Sequence, residues 1–227
     1  NMDGFVLSHT YEPVYLLSDS EVASFSPWNL YSPRLDSDNP LTMGGFCYPD
    51  YYFEIRYQSA KALRDSLPII SKVDEEFGKL SGRSYDIVSP FECDDADTIL
   101  ISMGSISTTI RATVKKLREK GERVGMVSLR LFRPFPFDKM IKFIKNAKAI
   151  GIVDRALSPG AVAGPVFTDI TSALYLSKMD IPAVNFFVGL GGRDVKMKDI
   201  ESIFNKLKRI AKTGIVKENS YYIGLRG

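Results

Sequence analysis

The sequence has little of the chemistry that builds metal and nucleophile sites. It contains 2 cysteines, 1 histidine and 1 tryptophan in 227 residues. Cys47 and Cys93 are too few for a disulfide framework and too far apart for a metal knuckle. They read as two reduced thiols of a cytoplasmic protein. A lone His9 argues against a His-rich metal site and against a Ser-His-Asp hydrolase. No apolar run approaches the roughly 20 residues of a membrane span. The N-terminal segment carries Asp3 and His9 and lacks a basic start with a long apolar stretch, so no secretory leader is read in it. Internal repeats and low-complexity segments are also missing. What is present is ordinary for a globular protein: 44% apolar and 25% charged residues, which excludes a disordered or collagen-like chain.

Charge is unevenly spread. Residues 1–95 hold 7 Lys/Arg against 16 Asp/Glu, and residues 96–227 hold 23 against 11. Such a split implies two units with different surfaces. The basic half suits an acidic partner, a phosphate-bearing ligand or nucleic acid. The plainer reading is a set of solvated helix faces. Arg111, Lys115 and Arg118, and then Lys139, Lys142 and Lys145, recur at three- and four-residue steps.

The second half alternates strands and helices. Short apolar runs at 98–103, 123–131, 149–154 and 183–188 read as strands. Helical spacing follows each: Ile106, Ile110, Val114 and Leu117, with Gly121 as the stop; Phe137, Met140, Ile141 and Ile144; Val166, Ile170, Ala173 and Leu174; Ile200, Ile203, Phe204, Leu207 and Ile210. This pattern predicts an α/β fold, a mostly parallel sheet with helices on both faces. Right-handed crossovers would align the loops 104–107, 132–137, 154–164 and 189–196 along one edge, the first place to look for a ligand. The tail, with Tyr221, Tyr222 and Ile223, is a candidate edge strand.

The first half is less regular. Phe5–Leu7 and Val14–Leu17 look like strand pieces. Residues 26–50 hold Pro27, Pro33, Pro40 and Pro49 with Gly44 and Gly45, a long loop of the kind found at interfaces and lids. Residues 52–79 read as one long helix kinked at Pro68. The acidic run 92–97 reads as a linker, dividing the chain into residues 1–91 and an α/β domain at 92–227. About 95 residues so arranged would struggle to bury a core alone. The expectation is that the chain is the C-terminal part of something larger, or is held by a partner.

Three motifs could carry chemistry. Gly189-Leu-Gly-Gly-Arg-Asp194 follows a strand and precedes a helix, the setting in which backbone N–H groups hold an anion. Its spacing is not that of a dinucleotide fingerprint. Gly191, Gly192, Arg193 and Asp194 are therefore weak anion or interface candidates, against a tight turn with Arg193 and Asp194 paired. Arg130-Leu-Phe-Arg-Pro-Phe-Pro136 would project Arg133 at the same edge, for an anion or subunit contact, or simply as a rigid turn. Asp3, His9 and Glu12 place the one imidazole near two carboxylates, a pair able to move protons near neutral pH. Ser8, Thr10, Ser105, Ser107 and Thr108 lack a paired base and are assigned no nucleophilic role.

Asp3-Gly-Phe-Val-Leu-Ser-His-Thr10, Met103-Gly-Ser105, Arg130 to Pro136, Val153-Asp-Arg155 and Asn185-Phe-Phe-Val-Gly-Leu-Gly-Gly-Arg-Asp194 occur in that order. The ordered set resembles the α subunit of the pyruvate:ferredoxin oxidoreductases, within the 2-oxoacid:ferredoxin oxidoreductase family, over nearly the whole chain. The strings favour the pyruvate or branched-chain branch. The resemblance implies a transketolase C-terminal-domain-like α/β fold, preceded by a partial thiamin-diphosphate-binding domain of the pyrimidine type. It implies oxidative decarboxylation of a 2-oxoacid to acyl-CoA with reduction of ferredoxin.

The same resemblance limits what this chain does. The family's cofactor-facing threonine, arginine and glutamate lie in an N-terminal stretch without counterpart here, so no catalytic residue is carried over. Two cysteines cannot ligate a four-cysteine cluster. Thiamin diphosphate, iron–sulfur clusters and the CoA co-substrate belong to the assembled enzyme, and none is expected on this chain alone. The implied role is scaffold and subunit docking, with Asp3, His9 and Glu12 near the domain joint and Arg133 and Gly191 to Asp194 at the loop edge. The expected partners are the thiamin-diphosphate and iron–sulfur subunit and, through the complex, ferredoxin. Neither nucleic acid nor membrane is expected. Lys196 stands where the family often has a helix-capping residue, which predicts a weaker start to the last helix. Two alternatives stay open: a stand-alone CoA- or nucleotide-binding module, and the C-terminal domain of a transketolase- or E1-dehydrogenase-like enzyme.

Overall fold

A computed structural model describes residues 13–27 and 35–226 of the chain. Its described residues fall into two compact units, one up to residue 86 and the other from Ile87 onward. Among the described residues no helix is long and apolar enough to cross a membrane.

The first unit is helical. Helix α1 spans Asp19–Phe25 and is capped reciprocally at its start. The Glu21 N–H donates to Ser18 Oγ at 3.4 Å, and the Ser18 N–H donates to Glu21 Oε2 at 2.7 Å. Ser-x-x-Glu is the signature of that cap and marks the helix in the sequence. Val14–Leu17, expected as a strand piece, is irregular and exposed except for Leu17. The long helix expected at 52–79 is two, α2 (Pro49–Asp65) and α3 (Leu67–Ser81). Pro68 sits in the first turn of α3, where its missing N–H costs nothing, so the break falls just before it. No side chain of the three helices is buried. Phe25 and Phe77 meet edge to face at 5.9 Å, and Phe77 stacks on Tyr85 at 6.3 Å.

The second unit is a six-stranded sheet with two helices on each face. The strands are β1 (Val88–Phe91), β2 (Thr98–Met103), β3 (Val124–Leu129), β4 (Ala149–Asp154), β5 (Ala183–Phe187) and β6 (Ser220–Tyr222). Their order is β1-β3-β2-β4-β5-β6. β1 runs antiparallel to β3, and the other pairs are parallel. The mostly parallel sheet is as expected. β1 was not: its Val-Ser-Pro-Phe sequence carries a proline, which an edge strand tolerates. Residues 92–97 therefore join two strands of one sheet. Arg118 fastens that turn, donating to the Glu92 carbonyl at 2.7 Å, the Val124 carbonyl at 2.6 Å and Asp95 at 3.0 Å. Its guanidinium holds the Asp95 carboxyl below the usual range.

Helices α4 (Ile106–Arg118) and α7 (Met197–Thr213) cover one face. They bury Ile110, Val114, Ile203, Phe204 and Leu207 against Leu100, Met126, Val184 and Phe186. Helices α5 (Phe137–Ile144) and α6 (Pro165–Leu176) supply Met140, Ile144 and Ile170 to the other, where alternation turns Ile99, Ile101, Ile150 and Ile152. A Cβ at Gly151 would lie 2.7–2.9 Å from Leu100, Leu207 and Phe186, so β4 meets α7 at a distance only glycine allows. Helix α4 ends as its glycine predicts. Gly121, at φ 79°, donates to the Arg118 carbonyl, and Glu122 donates to that of Leu117.

The last crossover departs from expectation. The chain moves one way along the sheet from β2 to β3 and the opposite way from β5 to β6. Yet α4 and α7, which make these two connections, lie together on one face. The two crossovers are therefore of opposite hand, and one escapes the usual right-handed rule.

Candidate functional site

The order β3-β2-β4 places a reversal of direction between β2 and β4. A crevice forms at such a point outside the carboxyl ends of the strands. Here the loop after β2 brings Gly104 and Ser105, and the loop after β4 brings Arg155. The Arg155 guanidinium stands 3.5 Å from Ser105 Oγ and 3.4 Å from the Gly189 carbonyl, so it spans three loops at the centre of the edge. Sequence reasoning quoted it only within the Val153-Asp-Arg155 string and gave it no role. Its importance comes from strand order, which no local pattern displays.

Beneath it lies a buried polar network. Asp154, the last residue of β4, is 2% exposed. Its carboxylate accepts from the N–H groups of Val166 at 3.2 Å and Phe167 at 3.3 Å, anchoring the start of α6. Asn185 donates to the same carboxylate at 2.9 Å and to the Ile152 carbonyl at 3.1 Å, and accepts from the Gly164 N–H at 2.7 Å. A Cβ on Gly164 would collide with the Asp154 carboxylate. Burial pushes the Asp154 carboxyl above its ordinary range, against these hydrogen bonds. Nearby, Ser102, Ser107 and Ser128 form a hydroxyl chain at 2.9 and 3.1 Å. Every polar group named here has a partner, so the network fixes the edge rather than offering a reactive atom.

The residues expected at the edge are placed as follows. Arg133 pairs with Asp169 of α6 at 2.8 Å, donates to the Phe132 carbonyl and lies over the Phe132 ring at 3.9 Å. The glycine turn is a short 3-10 turn with Gly189, Gly191 and Gly192 all at positive φ. Arg193 is tied to the Gly224 carbonyl of the tail. Asp194 does not pair with it. Residues 193–196 separate the turn from α7, so that helix start is not in the turn. The start of α7 is held despite Lys196, because Asp199 accepts the Lys196 N–H at 2.8 Å. Asp3, His9 and Glu12 lie outside the described residues. Arg133 and the glycine turn thus share the carboxyl edge but do not converge on one point.

A second feature lies elsewhere. A shallow recess of about 300 Å³ on the outer side of α7 is lined by Lys198, Glu201, Ser202, Asn205, Lys206 and Arg209. It follows the helix surface rather than the crevice.

Residues 96–200, which include β2 to β5 and the crevice, match the family model for pyruvate:ferredoxin oxidoreductase core domain II. The wider chain is 38% identical over 221 residues to pyruvate synthase subunit PorA of Methanosarcina barkeri, covering 97% of this chain and 55% of the relative. It is 36% identical over 213 residues to ketoisovalerate oxidoreductase subunit VorA of Pyrococcus abyssi, covering 92% and 53%. The chain thus spans about half the length of the curated relatives it matches. Two solved structures are more distant. A 2-oxoglutarate:ferredoxin oxidoreductase from Magnetococcus marinus, with 2-oxoglutarate, coenzyme A and succinyl-CoA bound, matches at TM-score 0.42 and 17% identity over 56% of this chain and 20% of its own. An inactive split-gene transketolase tetramer matches at TM-score 0.45 and 13% identity over 57% and 44%. The relatives agree with the resemblance read from the ordered motifs, and the stretch that matches the family model contains both the Arg155 crevice and the glycine turn.

Proposed function

We propose that this chain is part of the α subunit of a 2-oxoacid:ferredoxin oxidoreductase, with pyruvate the first substrate to test. The observation that carries this is the 38% identity to a pyruvate synthase subunit over 97% of the chain. The assembled enzyme would convert a 2-oxoacid and CoA to acyl-CoA and carbon dioxide and pass two electrons to ferredoxin. Thiamin diphosphate, when bound, supplies the carbanion chemistry. The described residues do not fit an iron–sulfur cluster. Such a cluster needs four thiolates, whereas Cys93 is buried with its thiol donating to the Met126 carbonyl at 3.1 Å. Among the described residues no group of three or more His, Cys, Asp or Glu could hold a metal. Clusters are accordingly assigned to other parts of the assembly.

The work left to this chain is to hold a rigid edge against its partners. Asp154 and Asn185 fix the loop and helix after β4, and Arg155 ties that loop to those after β2 and β5. Arg133 and the glycine turn extend the same rim. A stand-alone nucleotide module is less well supported, because the guanidinium of Arg193 is spent on the tail carbonyl.

The test is gentle anaerobic purification from the source organism, native mass spectrometry, and an assay of pyruvate- and CoA-dependent viologen reduction. The expected result is a complex with a cofactor-bearing subunit and activity that needs both substrates. A 25.4 kDa monomer or its homodimer, with no 2-oxoacid-dependent reduction, overturns the reading.

A further inference from the structure

Helix α2 carries charge and aromatic rings in a fixed order along one side. Asp50, Phe53, Glu54, Tyr57, Lys61 and Arg64 recur at three- and four-residue steps, which gathers them within roughly 120° of the helix surface. All are exposed, Phe53 by 80% and Tyr57 by 60%. The acids come first and the bases last, with Tyr57 midway: Asp50 and Arg64 lie equally far from it on either side. Among the described residues Asp50, Glu54 and Arg64 make no ion pair, and Lys61 is held only by Asp65 of the same helix at 2.6 Å. The helix dipole favours acids at the start and bases at the end. It does not account for their sharing one stripe with two exposed rings. The opposite side, with Tyr51, Tyr52, Ile55 and Ala62, is uncharged and supplies nothing to fix a partner's direction.

We propose that this stripe is a self-docking surface, on which α2 of a second copy of this chain lies antiparallel about a twofold axis near Tyr57. A twofold contact must be complementary to itself. In this arrangement Asp50 faces Arg64 of the second copy and Glu54 lies beside its Lys61, and symmetry makes each pair twice. The two Tyr57 rings meet at the axis with Phe53 beside them, and aromatic residues are the side chains enriched at the centre of such contacts. A parallel arrangement would set Asp50 on Asp50 and Arg64 on Arg64 and is repelled. The complement that this order demands, bases against acids around an aromatic centre, is already present in the helix itself. Docking also gives α2 the packing it lacks, since 17 residues with none buried make a marginal helix alone. One helix about 25 Å long offers a small contact, so the pair is weak and sensitive to salt. It neither needs nor alters the activity proposed above.

The test follows the full chain by sedimentation velocity over a wide range of concentration. Wild type should pass from 25.4 kDa to twice that mass as concentration rises, and less readily at high salt. One variant carries Asp50→Lys with Glu54→Lys, and a second carries Lys61→Glu with Arg64→Glu. Each alone sets like charges against one another and should raise the Kd of the pair at least about tenfold. Mixed in equal amounts the two variants become complementary, and a dimer should return at the concentrations where wild type forms one. Recovery on mixing cannot come from helices that failed to fold. A wild type that stays monomeric, or that forms only larger species, overturns the pairing. So does a dimer indifferent to both variants, or a mixture of the two that stays monomeric.

Discussion

Asp154 is the residue whose burial and bonding are most at odds. Burial raises its carboxyl above the ordinary range, yet the same carboxyl accepts from two N–H groups and from Asn185. Asp154→Ala strands those donors, and chemical denaturation should show a loss of about 2–3 kcal/mol. The sign of its pH dependence follows from the raised folded value. The carboxyl's contribution is full below the unfolded value near about 4 and falls as pH rises through the folded one. The penalty of the alanine variant should therefore be larger at pH 4 than at pH 8. Cys93 makes a parallel case. Burial pushes its thiol up to about 11. The unfolded chain ionises first, near about 8.5, so stability drains away between there and about 11 in wild type and not in Cys93→Ala. Native Cys93 should also resist alkylation at pH 8 while half-buried Cys47 reacts. These side chains were hard to read from sequence. Loop positions follow from periodicity, but Arg155, Asp154 and Asn185 meet only because β4 and β5 are neighbours and β2 lies on the other side.

The elements themselves were far more legible. Each helix of the α/β unit buries one stripe, and each central strand is apolar on both faces, so spacing alone located them. What escaped was set by contacts between elements. β1 is short, carries Pro90 and is recognisable only by its pairing with β3. The opposite hand of the last crossover depends on α7 choosing the α4 face, where Gly151 opens room for it. Gly151→Ala pushes a methyl into three buried side chains and should cost about 1–3 kcal/mol by thermal or urea unfolding. β6 closes the sheet with Tyr221 stacked on Phe186 at 5.7 Å and Tyr222 on Phe187 at 4.9 Å. Deleting residues 215–227 bares the β5 edge, and light scattering should then report self-association that wild type lacks.

Across the whole molecule the two units contrast. The α/β unit has a deep double-sided core, whereas helix α2 runs for 17 residues without one buried side chain. Tyr51, Tyr52, Phe53 and Tyr57 are all more than half exposed along it. A helix without tertiary packing has only its intrinsic propensity to hold it, which is marginal at this length. Its opening free energy should then lie near zero, well below that of the sheet. A protease that cuts after aromatic residues ought to cleave the free chain first between residues 51 and 57, leaving the fragment from Ile87 onward intact. Whatever covers this helix in an assembly would slow that single cut, so the time course of one band on a gel becomes a gauge of whether the chain has found its place.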